Sequence, residues 1–351
     1  MKHPRWVLAA AATVTGLLAV AGWVRPVPPV HWILAYAGWP KQGRSVYTVD
    51  DFVRELAVVD TTGKPVGWLS TGVLLTQISA TSGRGFYPGF GTGPADGTDW
   101  QQYVDSILGP GGAVARLDSA VAYVSSQVSW SPGPIPVALV IPYPDTGNRT
   151  VTFDGHDYSM AAMGPGREEL VKAYLTRARQ LFAAGKYAHL RFDAFYWLRE
   201  NCYAFDTMLV KDVAKAVHEQ GSRFLWIPYF RSYNFQHWKG LGFDEAWLQP
   251  NFFFHTEIPA VRVDSATAMA KANRMGMEIE LDRRLITNPQ FANRLDPYLD
   301  AFSKDKELNS RTIAMYDGAG AIIDMSKSKD PRVHAAYQRL TDILAVRRDA
   351  P

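Results

Sequence analysis

Residues 189–197, HLRFDAFYW, place Leu190, Phe192, Ala194 and Tyr196 on one side of the chain. His189, Arg191, Asp193, Phe195 and Trp197 alternate with them, the period-two pattern of a strand with one buried face. The apolar run stops at a carboxylate, Glu200. Similar short apolar runs predict strands over residues 31–37, 68–79, 136–143, 223–229, 245–249, 277–281 and 312–316. Between them, apolar positions spaced by three and four predict helices over 48–59, 100–107, 113–128, 167–184, 206–220, 264–274, 289–304 and 331–347. Thr48 opens the first of these with Asp50 and Asp51 in its first turn, and Gly221 closes the helix over 206–220. A glycine-rich loop over 81–99 carries Phe86, Tyr87 and Phe90 and reads as a binding loop. A small hairpin is expected around 151–158.

Strands alternating with helices imply a parallel sheet covered by helices. Eight such units imply a closed (β/α)8 TIM barrel, an α/β fold whose size of about 250 residues plus insertions suits this length. No GxGxxG follows the first strand and no P-loop occurs, which disfavours an open nucleotide-binding sheet. The division expected is a targeting segment over 1–29 and a single barrel domain over 30–351. In the former, Lys2, His3 and Arg5 precede an uncharged run over 6–24, followed by Pro26, Pro28 and Pro29. Ala19-Val20-Ala21 has the small-x-small form of a signal-peptidase site, and the run is also long enough for a membrane anchor of about 20 residues. Either way, export is expected: secreted, periplasmic or anchored on the outer face of the cytoplasmic membrane.

Composition narrows the chemistry. The net charge of +3 without a basic run excludes nucleic acid as an expected partner. The eight His show no HxH or HExxH spacing, so neither metal nor cofactor is expected. GxSxG is absent. Cys202, the only cysteine, precludes an intrachain disulfide and reads as a small buried hydrophobe. Aromatic residues reach 13%, enough to cover a core and also line a sugar-binding cleft.

Barrel sites lie at the C-terminal ends of the strands. Reading past each apolar core gives Tyr36 and Trp39, Gln77, Tyr143, Trp197 with Glu200, Tyr229 and Arg231, Gln249 and Asn251, Glu278 with Glu280, and Tyr316 with Asp317. Aromatic platforms, amides and carboxylates are what bind a carbohydrate, so the remaining side chains are expected to contact substrate. Glycoside hydrolysis needs a carboxylic acid to protonate the leaving oxygen and a carboxylate as nucleophile or base. Glu200 is assigned as acid/base, and Glu280, at the end of the seventh strand, as nucleophile, with Glu278 as the alternative. Retention is the favoured stereochemistry. Alternatively, these glutamates are structural and held by Arg191 or Arg231. Asp193 is expected to be a structural partner.

The segments FDAFYWLREN, IPYFRSYNFQHWKGLGFDEAWLQPNFFF and GMEIELD resemble the bacterial family called domain of unknown function 4855. The resemblance spans roughly residues 32–344. It implies a glycosidase-like barrel with an acid/base on strand four and a nucleophile on strand seven. The related glycosidase clan places Asn before the strand-four glutamate, whereas Arg199 stands here. The expectation is therefore an exported glycoside hydrolase acting on an extracellular or cell-envelope polysaccharide. The alternative is a non-catalytic glycan-binding barrel of the envelope.

Overall fold

A computed structural model describes residues 30–37, 46–318 and 320–345. The targeting segment and Trp39 lie outside the described residues. Eight strands form the barrel: β1 (Trp32–Ala35), β2 (Gly72–Leu75), β3 (Ile135–Ile141), β4 (Leu190–Trp197), β5 (Arg223–Trp226), β6 (Glu245–Leu248), β7 (Gly276–Glu280) and β8 (Ile313–Tyr316). They close in sequence order, every neighbour parallel, with β8 pairing back to β1. This is the (β/α)8 architecture expected from the alternating pattern. Strands buried on both faces read as continuous apolar runs, as in β3, where all seven residues are buried.

Local chemistry starts and stops the helices. Thr48 and Asp51 form a reciprocal capping box on Val49–Leu56, and Asp96 with Asp99 does the same for Gly97–Leu108. The first helix ends at Leu56 rather than running to residue 59. Ala57 turns extended, and β-branched Val58 and Val59 join a two-stranded hairpin, Ala57–Val59 with Pro65–Trp68. The strand expected over 68–79 is consequently two elements. Trp68 ends the hairpin, the Leu69 and Ser70 amides fold back onto Leu56 O, and β2 begins only at Gly72. The hairpin expected around 151–158 pairs Thr150–Phe153 with His156–Ser159.

One end of the lumen is filled by two indoles, Trp32 and Trp247, edge-to-face at 6.3 Å. Glycines make room for them. A Cβ on Gly276 would lie 2.4 Å from Trp247 Cδ1, and one on Gly72 2.9 Å from Trp32 Cε3. Beside them Arg223 bonds Asp193 through Nε at 2.9 Å and Glu245 through Nη1 at 3.0 Å. Asp193 is thus the structural partner expected, but its position holds a surprise. Phe192 pairs with Val137 and Ala194 with Ala138, which leaves Asp193 as an extra residue, a β-bulge. The bulge shifts the alternation by one. Phe192 and Phe195 therefore pack together at 4.8 Å, with Phe182 of the helix Gly166–Gly185 against Phe192. Tyr196 lies on the opposite face from Phe192, not beside it.

Candidate active site

Parity along β7 puts Glu278 and Glu280 on one face. Met277, on the other, accepts a hydrogen bond from Thr267 of the helix Val261–Ala272, so the glutamates face the lumen. Glu280 is fully buried and collects donors. Gln249 Nε2 donates at 3.2 Å, the Phe252 amide at 3.2 Å, and the Tyr298 hydroxyl at close range. The Asn251 amide is a fourth donor. Burial pushes the Glu280 carboxyl up and these four donors oppose it.

Glu278 is equally buried, but its Oε2 has no hydrogen-bond partner. Burial, then the charges of Glu280 and Glu200, holds it well above the usual carboxylate range. Glu200 sits just past β4 and keeps a water-accessible edge. Burial first, and the charge of Glu280 second, raises its carboxyl to about 8. The three groups therefore share one electrostatic site. The donors favour the charged form of Glu280, and no such donor reaches Glu278 Oε2.

Tyrosines surround them. The hydroxyls of Tyr36 and Tyr196 are raised by burial and by the charges of Glu278 and Glu200, and Tyr316 by burial and, more weakly, by acids that include Glu278 and Glu280. Tyr36 meets Tyr316 edge-on at 5.6 Å. Tyr87, from the glycine-rich loop, feels the Glu200 charge and bonds its backbone.

The residue carrying Glu200 is clamped on both sides. Trp226 Nε1 donates to Arg199 O at 2.8 Å. Asn201 donates to the Tyr229 hydroxyl and accepts from the Tyr233 amide, both at 2.8 Å. Arg199 itself turns to Asp206, at 2.8 Å. Asp206 is fully buried and also receives Arg167 at 3.1 Å and the Tyr143 hydroxyl at 2.9 Å.

The expected site residues divide accordingly. Glu200, Glu278, Glu280, Tyr36, Gln249, Asn251 and Tyr316 come together, Asn251 through its backbone. Tyr229 supports the Glu200 loop, and Gln77 is buried with its Nε2 3.3 Å from Tyr36 O. Three expectations are corrected. Tyr143 belongs to the Arg167–Asp206 network, because its hydroxyl is spent there. Trp197 is fully buried against Tyr143 and Phe224, since alternation aims Tyr196, not Trp197, at the glutamates. Asp317 accepts the Gly320 and Ile322 amides at 3.0 and 3.3 Å and so secures the start of the helix Ala321–Lys327. Arg231 is a left-handed loop residue over Phe230 and is exposed, so substrate contact by its side chain stays a proposal. Nor does either arginine hold a glutamate, for Arg191 pairs with Asp193. Cys202 is buried and its thiol is raised to about 11 by burial, which suits packing.

Tyr196 and, beyond its place in the expected binding loop, Tyr87 were not named as site residues, nor was Tyr298. Parity opposite Trp197 is a signal for the first and the glycine-rich loop for the second. Tyr298, inside a helix, carries no local signal.

No curated protein matches the chain. Among solved structures it is similar to the catalytic domain of a family GH18 chitinase from the fern Peteris ryukyuensis, at 11% identity and a TM-score of 0.48, over 90% of this chain and 99% of that one. It is also similar to the tryptophan synthase α-subunit of Pyrococcus furiosus, at 9% identity and a TM-score of 0.40, over 91% and 99%. A family model matches nearly the whole barrel, residues 31–342, and the chain belongs to that family, described as Domain of unknown function (DUF4855).

Proposed function

We infer that the protein is an exported glycoside hydrolase acting on an extracellular or cell-envelope polysaccharide, with Glu200 as acid/base and Glu280 as its carboxylate partner. The observation that carries the reading is three glutamates at one end of the lumen in unlike surroundings, Glu280 holding hydrogen-bond donors from Gln249, Phe252 and Tyr298 while Glu278 Oε2 has none. Two carboxyls whose surroundings push their ionisation apart are what acid–base division of labour requires. Glu200, held near 8, is a proton donor at neutral pH. It would protonate the glycosidic oxygen as the C1–O bond breaks and the bonding pair leaves with the alcohol. Ionised Glu280 would meet the positive charge developing at C1, either by bonding C1 or by taking a proton from the attacking water. The uncharged run over 6–24 behind Lys2 and Arg5 supports export.

One observation favours the second reading, a barrel that binds glycans without cleaving them. Glu280 is wholly enclosed, as a structural carboxylate would be. One other keeps Glu278 as the alternative partner, its unbonded Oε2. Purified protein assayed against cell-envelope and plant polysaccharides with reducing-end detection separates these readings. Glu200→Gln and Glu280→Gln are each expected to lower turnover at least about 100-fold. Full turnover in Glu280→Gln with loss in Glu278→Gln would transfer the role to Glu278. The absence of reducing ends on every polysaccharide would leave the binding barrel.

A further inference from the structure

Immediately after the Glu200 loop, three aromatic rings stand at the surface. Tyr203 and Phe205 stack at 5.7 Å and 15°, and Tyr203 meets Tyr233 at 5.8 Å and 30°. All three are exposed, at 38%, 56% and 53%. Exposed aromatic rings grouped in this way mark an interaction surface. Their placement is not loose. The Arg199 guanidinium lies 5.1 Å from the Tyr203 ring and 5.5 Å from Phe205, while its charge is anchored on buried Asp206. The Cys202 amide bonds Tyr233 O at 3.2 Å, and Asn234 Nδ2 bonds Cys202 O at 2.9 Å, so the two loops bearing the rings are tied together.

We propose that Tyr203, Phe205 and Tyr233 form a stacking platform for the pyranose rings of a glycan chain that continues outward from Glu200. The proposal rests on the reading of the site as a glycan site. Continuity argues for this occupant: Tyr203 is three residues from Glu200, and Asn201 bonds both Tyr229, beneath, and the Tyr233 amide. A pyranose offers a flat face of C–H groups to an aromatic ring and keeps its hydroxyls at the edge, in water. Arg199 occupies the position before the acid, and its guanidinium fixes the platform from behind.

The test uses hexasaccharides and disaccharides of β-1,4-glucose, α-1,4-glucose and β-1,4-N-acetylglucosamine, titrated by calorimetry into the full chain bearing Glu200→Gln. Phe205→Ala and Tyr233→Ala in that background are expected to weaken the hexasaccharide that binds by about 3- to 10-fold each. Disaccharide affinity is expected to be unchanged, and Phe205→Trp is expected to restore the hexasaccharide. Unchanged hexasaccharide affinity overturns the platform while turnover of a polysaccharide by the Glu200 protein would leave the hydrolase reading standing. Platform-dependent binding without turnover supports the platform and sinks the hydrolase. Binding of none of these sugars overturns the platform together with the glycan reading.

Discussion

Three carboxyls sharing one lumen oppose one another's ionisation, because each charge raises the next group. The donors around Glu280 favour its charged form. Glu200, raised to about 8 by burial and by the Glu280 charge, is protonated below that pH and loses its proton above it. Turnover that needs protonated Glu200 should therefore fall as pH rises through about 8, and fall again at the acid end as Glu280 takes up a proton. The two limbs belong to the coupled set rather than to single residues. A rate–pH series of kcat/KM checks this. Glu280→Gln, which removes the repelling charge, is expected to move the basic limb of any residual activity downward. A basic limb that stays in place would show that the Glu280 charge does not set it.

At the scale of elements, the Glu200 loop is held by contacts from far along the chain. Asp206 joins Arg199, Arg167 and Tyr143 in one buried cluster. Asp206→Asn leaves two guanidiniums facing a neutral amide, and breaking a buried charge pair costs about 3–5 kcal/mol. The expected outcome in denaturant is a lower unfolding midpoint. Surviving protein should also lose kcat more than it gains KM, because Glu200 rather than the substrate is displaced. A variant as stable as the parent would show that the cluster contributes nothing. The bulge at Asp193 acts at the same scale. It turns Phe192 and Phe195 toward the helix layer, so Tyr196 rather than Trp197 reaches the acids.

Across the whole molecule, the two ends of the barrel divide their labour. The C-terminal ends of the strands carry the glutamates, while Arg223, Asp193 and Glu245 sit at the starts of β5 and β6 and at the β4 bulge. Charge balance there serves folding rather than chemistry. Arg223→Ala strands Asp193 and Glu245, although Arg191 and Thr312 still reach them. Stability is expected to fall by about 1–2 kcal/mol, because the Arg223 side chain is partly exposed. Below the unfolding transition kcat should be retained within about twofold, and a parallel collapse of kcat would mean that the two ends are coupled.

The linear chain determined the barrel, the order of its strands and the two stretches that end in glutamates. Those features follow from local periodicity, since side chains alternate along a strand and recur every three to four residues on a helix. The family segments around Glu200 and Glu278 were legible for the same reason, as short contiguous strings. Tertiary structure alone decided which neighbours matter. The parity of β4 depends on pairing with β3, through a bulge that no run of residues announces. Glu280 acquires its donors from Gln249, Phe252 and Tyr298, and Glu278 is left with an unbonded oxygen two residues away. Tyr143, Trp197 and Asp317 follow their strands like rim residues, but their partners hold them in other roles. Burial and hydrogen bonding are properties of contacts between distant segments, and they set the charge of every group in the site.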